Sequence, residues 1–165
     1  MNKKYLPNKV GYIVMLRQIQ NLLKDKKIEF KEWHHEPVRT SEEAAKARGV
    51  DIKLGAKSLV LKADNRFIMC VLSAAKRIDS KRLKIILSAK NVRFASSDEL
   101  FLLTACEPGG VPPLGNLFGL PTLIDKSLVE NECIDFNAGS LSDSMMISTK
   151  DYLALVPDRI EDFSE

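Results

Sequence analysis

The 165-residue sequence predicts one mixed α/β domain, with a mostly antiparallel sheet or barrel and flanking helices. Its length suits a single compact domain, which buries roughly two-thirds of the surface that the unfolded chain exposes. Apolar residues make up 45% and charged residues 28% of the chain, which is the balance of a globular protein. Helical and strand periodicities interleave without the regular alternation of strand and helix that builds a doubly wound sheet.

The chain opens with an N-terminal extension, residues 1–25, that carries an amphipathic helix. Apolar side chains recur at three- and four-residue steps over residues 15–27, which predicts a helix that packs on the domain or covers it. Residues 28–35 alternate in strand fashion, and Pro37 ends the strand.

A capping pattern follows the first strand. Thr40 and Glu43 have the spacing of a capping box, in which each residue satisfies a backbone amide of the other. The pattern predicts a short helix over residues 41–48, which Gly49 terminates.

Two apolar runs in the middle of the chain predict a buried β-hairpin. Residues 56–62 and 66–73 are rich in strand-forming side chains, and the polar pair Asp64 and Asn65 separates them. Two such runs joined by a tight polar turn are typical of a hairpin.

The remaining elements are short, and their limits come from caps and strand-like runs. We expect a basic helix from Asp79 or Ser80 to Leu87, a strand at residues 93–95, a helix capped by Ser96 and Glu99, strands at 122–125, 133–136 and 145–148, a helix capped by Thr149 that runs to Val156, and an acidic tail at 158–165.

The charge distribution favours a compact anionic partner over a long nucleic-acid duplex. Twenty-five basic and 22 acidic side chains leave a net charge of only +3. A local basic face on a nearly neutral protein suits an RNA end, although a solvated helix face has the same composition. The basic residues of this face are Lys76, Arg77, Lys81, Arg82, Lys84, Lys90 and Arg93.

The cysteines predict a reduced, cytoplasmic protein. Cys70, Cys106 and Cys133 are odd in number and lack metal-ligand spacing, so neither a disulfide framework nor a zinc site is expected. No stretch approaches the roughly 20 apolar residues of a membrane span, and we expect no membrane association.

Conventional catalytic motifs are missing, which excludes several enzyme classes. The sequence contains no GxSxG elbow, P-loop, HExxH or GxGxxG pattern. His34 and His35 are neighbours on a strand, where successive side chains point to opposite faces, so we expect no metal site there. Cys106 is a weak candidate nucleophile because no histidine lies near it in sequence.

Lys57 and a glycine- and proline-rich loop remain as candidates for chemistry. Lys57 precedes an apolar strand, which places its ammonium at the mouth of an apolar site, although a surface lysine gives the same pattern. Gly109 and Gly110, followed by paired prolines, fix a turn whose amides, with that of Val111, are candidates for an oxyanion hole. A purely structural turn is the alternative.

Five blocks in order resemble the YbaK/ProX aminoacyl-tRNA deacylases, which are related to the editing domain of bacterial prolyl-tRNA synthetase. The resemblance runs from about residue 30 to residue 155, and it is more specific than any one block. The blocks are Thr40 to Ala45, Gly55 to Lys62, Arg77 to Leu83, Arg93 to Ser96, and Glu107 to Gly115 with Asn137-Ala138-Gly139 after it.

The resemblance implies an editing domain over residues 26–157 and assigns its pocket. By position, Lys57 and the loop from Gly109 to Pro113 line the catalytic site. Asn137, Ala138 and Gly139 form the opposite wall, where small residues limit the size of the amino acid. Ser41 and Ser58 are expected to be lesser contacts.

The resemblance also implies the reaction, which is hydrolysis of a misacylated aminoacyl-tRNA without a metal, cofactor or covalent intermediate. Alanine or cysteine on the proline tRNA is the expected substrate, and an aminoacyl-tRNA synthetase is a possible partner. A non-catalytic tRNA- or synthetase-binding module of the same fold is the alternative. Retention of both Lys57 and the complete loop favours the enzyme.

Overall fold

The computed structural model of the chain describes residues 9–157 and 159–165, and residues 1–8 of the predicted extension lie outside the described residues. Two sheets and flanking helices form the fold, which confirms the predicted mixed α/β class. No helix in this described part of the chain combines the length and apolar character needed to cross a bilayer.

The helices match the sequence predictions most closely where a cap marks their ends. Among the helical elements, the unpredicted ones are Lys126–Val129 and two 3-10 helices, Ile52–Leu54 and Gly115–Phe118. The last helix is capped by the Ser148 side chain and not by Thr149, which corrects that prediction. The helices are α1 (Lys9–Asp25), α2 (Ser41–Arg48), α3 (Ser80–Leu87), α4 (Ser97–Thr104), α5 (Lys126–Val129) and α6 (Thr149–Leu155).

A three-stranded antiparallel sheet carries one wall of the candidate site. Its strand order is β1-β7-β6, and the β6–β7 pairing runs from Cys133 opposite Ser148 to Asn137 opposite Ser144. Its strands are β1 (Lys31–His34), β6 (Cys133–Asn137) and β7 (Asp143–Ser148).

A five-stranded sheet forms the second layer. Its order is β4-β2-β3-β5-β8, in which the β3–β5 and β5–β8 pairs are parallel and the others antiparallel. An isolated bridge between Gly55 and Asp135 joins the two sheets near the start of β2. Its strands are β2 (Ala56–Ala63), β3 (Arg66–Ser73), β4 (Val92–Phe94), β5 (Thr122–Asp125) and β8 (Arg159–Glu161).

The capping box of α2 fixes the first turn of that helix. The Glu43 amide donates to Thr40 Oγ1 at 3.1 Å, and the Glu43 carboxylate accepts the Thr40 amide at 3.2 Å. Gly49 ends the helix with φ of 67°, a left-handed conformation in which glycine has no steric cost. Both predicted ends of α2 are therefore confirmed.

The central hairpin, β2 and β3, has the predicted turn. Ala63 pairs with Arg66 across Asp64 and Asn65, and the register continues to Ala56 opposite Ser73. Cys70 is fully buried on β3, and this burial, with a smaller effect of Asp125, raises the pKa of its thiol to about 12. Cys70 is thus an apolar core residue in practice.

The C-terminal segment is integrated into the fold, which differs from the predicted acidic tail. Strand β8 extends the larger sheet, and the Phe163 side chain is fully buried. The buried Asp125 carboxylate accepts the Phe163 amide at 2.8 Å and the Ser164 hydroxyl at 2.7 Å. The acidic composition of this segment predicts an exposed tail. The segment is part of the fold because its one fully buried aromatic side chain, Phe163, anchors it.

We expect the substitution Phe163→Ala to lower the free energy of unfolding by about 3–5 kcal/mol, because it removes a fully buried aromatic side chain. Chemical denaturation followed by circular dichroism measures this change. Ile160→Ala on β8 is the matched control, since Ile160 is 45% exposed and its loss should cost much less. Equal effects of the two substitutions would contradict a structural role for the C-terminal segment.

Candidate active site

A cavity of about 200 Å³ lies between α2, the start of β2, the loop at residues 109–113 and β6. The small residues Ala44, Ala45, Gly55 and Ala74 form part of its lining, so the space suits a small group. Of the residues that the sequence assigned to the site, those in the lining are Ser41, Lys57, Ser58, Gly109, Val111 and Asn137.

Lys57 is the second residue of β2, where it is half-buried in the cavity wall. Its Nζ donates to the Lys76 carbonyl oxygen, and an ammonium group has two further N–H donors. Partial burial lowers the pKa of Lys57, Arg77 lowers it further, and Glu42 opposes the shift. The site therefore presents a partly desolvated cation that gains stability from an anionic or strongly polar ligand.

Hydrogen bonds to four backbone carbonyl groups of the loop hold it in place. Asn137 on β6, the Gly139 amide, Ser58 on β2 and Tyr152 on α6 supply the donors. Because these elements belong to the core, the loop is fixed before any ligand binds. The bonds are Asn137 Nδ2 to Gly109 O at 2.6 Å, Gly139 N to Gly110 O at 2.9 Å, Ser58 Oγ to Val111 O at 2.8 Å, and Tyr152 OH to Pro113 O at 2.7 Å.

One of the three loop amides donates a hydrogen bond within the described residues, and the other two do not. The Gly110 amide donates to the Glu107 carbonyl at 3.0 Å, so it serves the turn and does not face a ligand, contrary to the sequence prediction. Within residues 9–157 and 159–165, the Gly109 and Val111 amides donate no hydrogen bond. Gly109 has φ of 87°, which explains why glycine stands there.

Three predicted site residues lie behind the cavity wall and not in it. Pro113 is buried at the end of the loop, where its carbonyl accepts the Tyr152 hydroxyl. Ala138 is fully buried in the main core. A Cβ atom on Gly139 would lie 2.4 Å from Met15 Cγ, so this glycine permits α1 to pack closely instead of limiting substrate size.

A buried ion pair that the sequence analysis did not identify also lines the cavity. Arg48, at the end of α2, contacts the Asp135 carboxylate on β6, and their side chains are 4% and 1% exposed. Arg48 Nη2 also donates to Asn137 Oδ1 at 2.5 Å. Burial raises the pKa of Asp135, and Arg48 opposes that shift. A guanidinium group stays protonated at neutral pH, so Arg48 remains a cation.

The sequence does contain one signal for this pair. In β6 the side chains alternate, so Asp135 and Asn137 share a face while Ile134 and Phe136 occupy the other. An aspartate within a strongly apolar strand is a buried polar residue that requires a partner. The identity of that partner, Arg48, depends on tertiary packing.

Cys106 and the two histidines each have a polar partner within the fold. Burial raises the pKa of Cys106 to about 11 despite a bond to Thr104, so its thiolate is scarce at neutral pH. His34 Nδ1 lies 2.7 Å from Asp143, whereas His35 Nε2 lies 2.7 Å from Ser144. In the part of the chain that the structure describes, no group of His, Cys, Asp and Glu side chains is placed to hold a metal ion.

Comparison with known proteins gives relatives over most of the chain. The chain is 31% identical over 147 residues to the multifunctional Ser/Thr-tRNA deacylase ProXp-y of Escherichia coli K12, with coverage of 86% of this chain and 88% of that protein. It is 34% identical to the proline–tRNA ligase of Bacillus licheniformis, over 53% of this chain and 15% of the ligase.

A solved structure matches the fold. A candidate trans-editing enzyme for prolyl tRNA synthetase superposes with a TM-score of 0.80 and 26% identity, and the match covers 92% of this chain and 97% of that one. The family model for the aminoacyl-tRNA editing domain matches residues 35–155, a range that contains the cavity, Lys57 and the loop. The chain therefore belongs to the aminoacyl-tRNA editing domain family.

Proposed function

We propose that this chain hydrolyses the ester between a small amino acid and the 3′ adenosine of a misacylated tRNA. The observation that carries the proposal is the convergence of Lys57 and the free amides of Gly109 and Val111 on one cavity. Membership of the editing family and the deacylase name of the Escherichia coli relative support it.

The loop geometry suits attack of water on an ester carbonyl. As water adds, negative charge develops on the carbonyl oxygen, and the Gly109 and Val111 amides are the donors available to stabilise it. The four fixed loop carbonyls keep those amides in place, so little reorganisation is needed during the reaction. An ester is activated enough that positioning can replace a strong protein base, with the neighbouring ribose hydroxyl assisting.

Lys57 supplies the positive charge of the site. Its ammonium donates to the Lys76 carbonyl, and Lys57 lines the cavity, so a further N–H of the ammonium is available to bind the terminal phosphate or the ester carbonyl. Exposed basic residues, Arg39 in the lining and Arg77 beside Lys57, extend this charge to the mouth. The single-stranded acceptor end of tRNA is a suitable anionic partner for such a surface.

The size of the cavity favours a small amino acid. Ala44, Ala45 and Ala74 place short side chains along the wall of the cavity of about 200 Å³. Alanine and cysteine, which the sequence analysis expects, fit this limit, as do serine and threonine, which are named for the relative in Escherichia coli.

We expect Lys57→Ala to reduce kcat/KM for aminoacyl-tRNA hydrolysis by about 100-fold or more, since it removes the cation that faces the substrate. Release of labelled amino acid from tRNA charged with alanine, cysteine, serine or threonine measures the rate. Lys150→Ala, an exposed lysine on α6, and Cys106→Ser should retain the wild-type rate.

Two outcomes of these hydrolysis assays would contradict either the proposed activity or the site assignment. If every ester lasts as long with the wild-type protein as in buffer, the chain is a binding module of the same fold. If Lys57→Ala keeps its rate while Cys106→Ser loses it, the site assignment is wrong.

Gly109→Ala should reduce kcat by about 100-fold, because a displaced loop amide no longer meets the developing charge. Alanine at this position would be strained by the backbone φ of 87°, and its Cβ would lie 3.2 Å from Leu141 Cδ2. Gly119→Ala is the matched control, since Gly119 has φ of 64° with nothing within 4 Å of a Cβ. Thermal unfolding should show some loss of stability in both variants, and single-turnover assays should show loss of rate in Gly109→Ala alone.

A further inference from the structure

The anchor of the Lys57 ammonium is a backbone carbonyl in an exposed part of the chain. Lys57 Nζ donates to the Lys76 carbonyl oxygen, and Lys76 and Arg77 are both exposed. They belong to the segment at residues 74–79, which connects β3 to α3. Exposed connections are ordinarily among the more mobile parts of a fold. The position of the ammonium therefore depends on what holds this segment.

A short antiparallel ladder holds the segment against residues 163–165. The Arg77 amide donates to a Glu165 backbone oxygen at 3.0 Å, and the Glu165 amide donates to the Arg77 carbonyl at 2.9 Å. Two residues that exchange both bonds form the hydrogen-bonded pair of an antiparallel ladder. The ladder continues with the Asp79 amide, which donates to the Phe163 carbonyl at 2.8 Å.

One peptide group takes part in both the ladder and the lysine anchor. The Lys76 carbonyl and the Arg77 amide belong to the same peptide group, which is planar and trans, so its C=O and N–H point in opposite directions. Because the N–H points to Glu165, the C=O points away from Glu165 and towards the Lys57 ammonium. Rotation of this plane would break both hydrogen bonds at once.

We infer that the backbone of Glu165 positions Lys57, which it orients through the peptide group between Lys76 and Arg77. This role rests on the proposed function, in which Lys57 is the cation that faces the substrate. Residues 163–165 do not line the cavity, so the segment acts on the site only through other residues.

The local charges explain why Lys57 requires such an anchor. Partial burial lowers the pKa of Lys57, and the nearby cation Arg77 lowers it further, so both disfavour an ammonium at this place. A carbonyl oxygen that accepts from the ammonium favours the charged form. The lysine stem is flexible, so without a fixed acceptor the repulsion from Arg77 would move the ammonium out to solvent.

The core holds the segment that supplies Glu165. Phe163 is fully buried, and the Asp125 carboxylate accepts the Phe163 amide and the Ser164 hydroxyl. Arg82 Nη1 also donates to the Ser164 carbonyl at 3.3 Å. These contacts precede Glu165 in the chain, so they remain when Glu165 is removed.

The test removes Glu165 and leaves its neighbours in place. A variant that lacks Glu165 loses both backbone partners of Arg77, and we expect its kcat/KM to fall about tenfold because the ammonium is no longer held in position. Release of labelled alanine, cysteine, serine or threonine from charged tRNA measures the rate. The midpoint of thermal unfolding should stay within about 4 °C of the wild-type value, since Phe163 remains buried.

Glu165→Ala is the matched control, because it keeps both backbone hydrogen bonds and removes only an exposed side chain. We expect this variant to retain the wild-type rate. A wild-type rate in the variant that lacks Glu165, or an equal fall in Glu165→Ala, would overturn the inference. So would failure of the deletion variant to fold, since Glu165 would then serve the fold as a whole.

A double variant distinguishes an effect through Lys57 from general support of the site. In Lys57→Ala there is no ammonium to orient, so the further loss of Glu165 should leave the residual rate within about twofold. Single-turnover assays with excess protein measure these slow rates. A further tenfold fall would overturn the inference. A wild-type rate for Lys57→Ala itself would instead contradict the site assignment of the proposed function.

Discussion

The carboxamide of Asn137 joins the two halves of the candidate active site. Its oxygen accepts from Arg48 in the buried pair, and its Nδ2 donates to the Gly109 carbonyl of the loop. Ser144 also donates to the Asn137 oxygen at 3.4 Å, which links the amide to β7. Because an amide has distinct donor and acceptor ends, these contacts fix its orientation. The wall formed by β6 and the loop at residues 109–113 therefore have a fixed relative position.

The rigidity of the loop explains how a site with few catalytic side chains can support hydrolysis. Gly109, Val111 and Pro113 offer their carbonyls to donors on β6, β2 and α6, so the core of the protein determines the loop conformation. Tyr152 is fully buried and donates from the far side of the core. Electrostatic stabilisation by prearranged dipoles depends on this kind of support. In the proposed reaction the chemistry is thus distributed over the fold instead of being concentrated in one base.

The sequence predicted those features that local patterns specify. The capping box at Thr40, the hairpin turn at Asp64 and the glycine- and proline-rich loop all depend on residues close in sequence. Features that depend on distant partners were missed or wrong. Arg48 and Asp135 are 87 residues apart, and β8 pairs in parallel with β5 across a separation that no local signal shows.

Gly139 shows the same limit at a single residue. Its place near Asn137 in the sequence indicates a pocket wall, but a Cβ atom added to Gly139 would meet Met15 on α1. Strand β6 ends at Asn137, and the two residues that follow it, Ala138 and Gly139, pack in the core and against α1. A motif locates the site, and the path of the backbone after β6 decides which of its residues reach the cavity lining.

The buried pair also has an energetic meaning. An Arg–Asp pair removed from water loses hydration that its mutual attraction only partly restores, and apolar residues of similar volume often give a more stable protein. Two unsatisfied atoms make the pair at Arg48 and Asp135 less favourable still. Stability alone does not account for the presence of these residues. A positional role does, because Arg48 donates to the carboxamide of Asn137, which in turn donates to the Gly109 carbonyl of the loop.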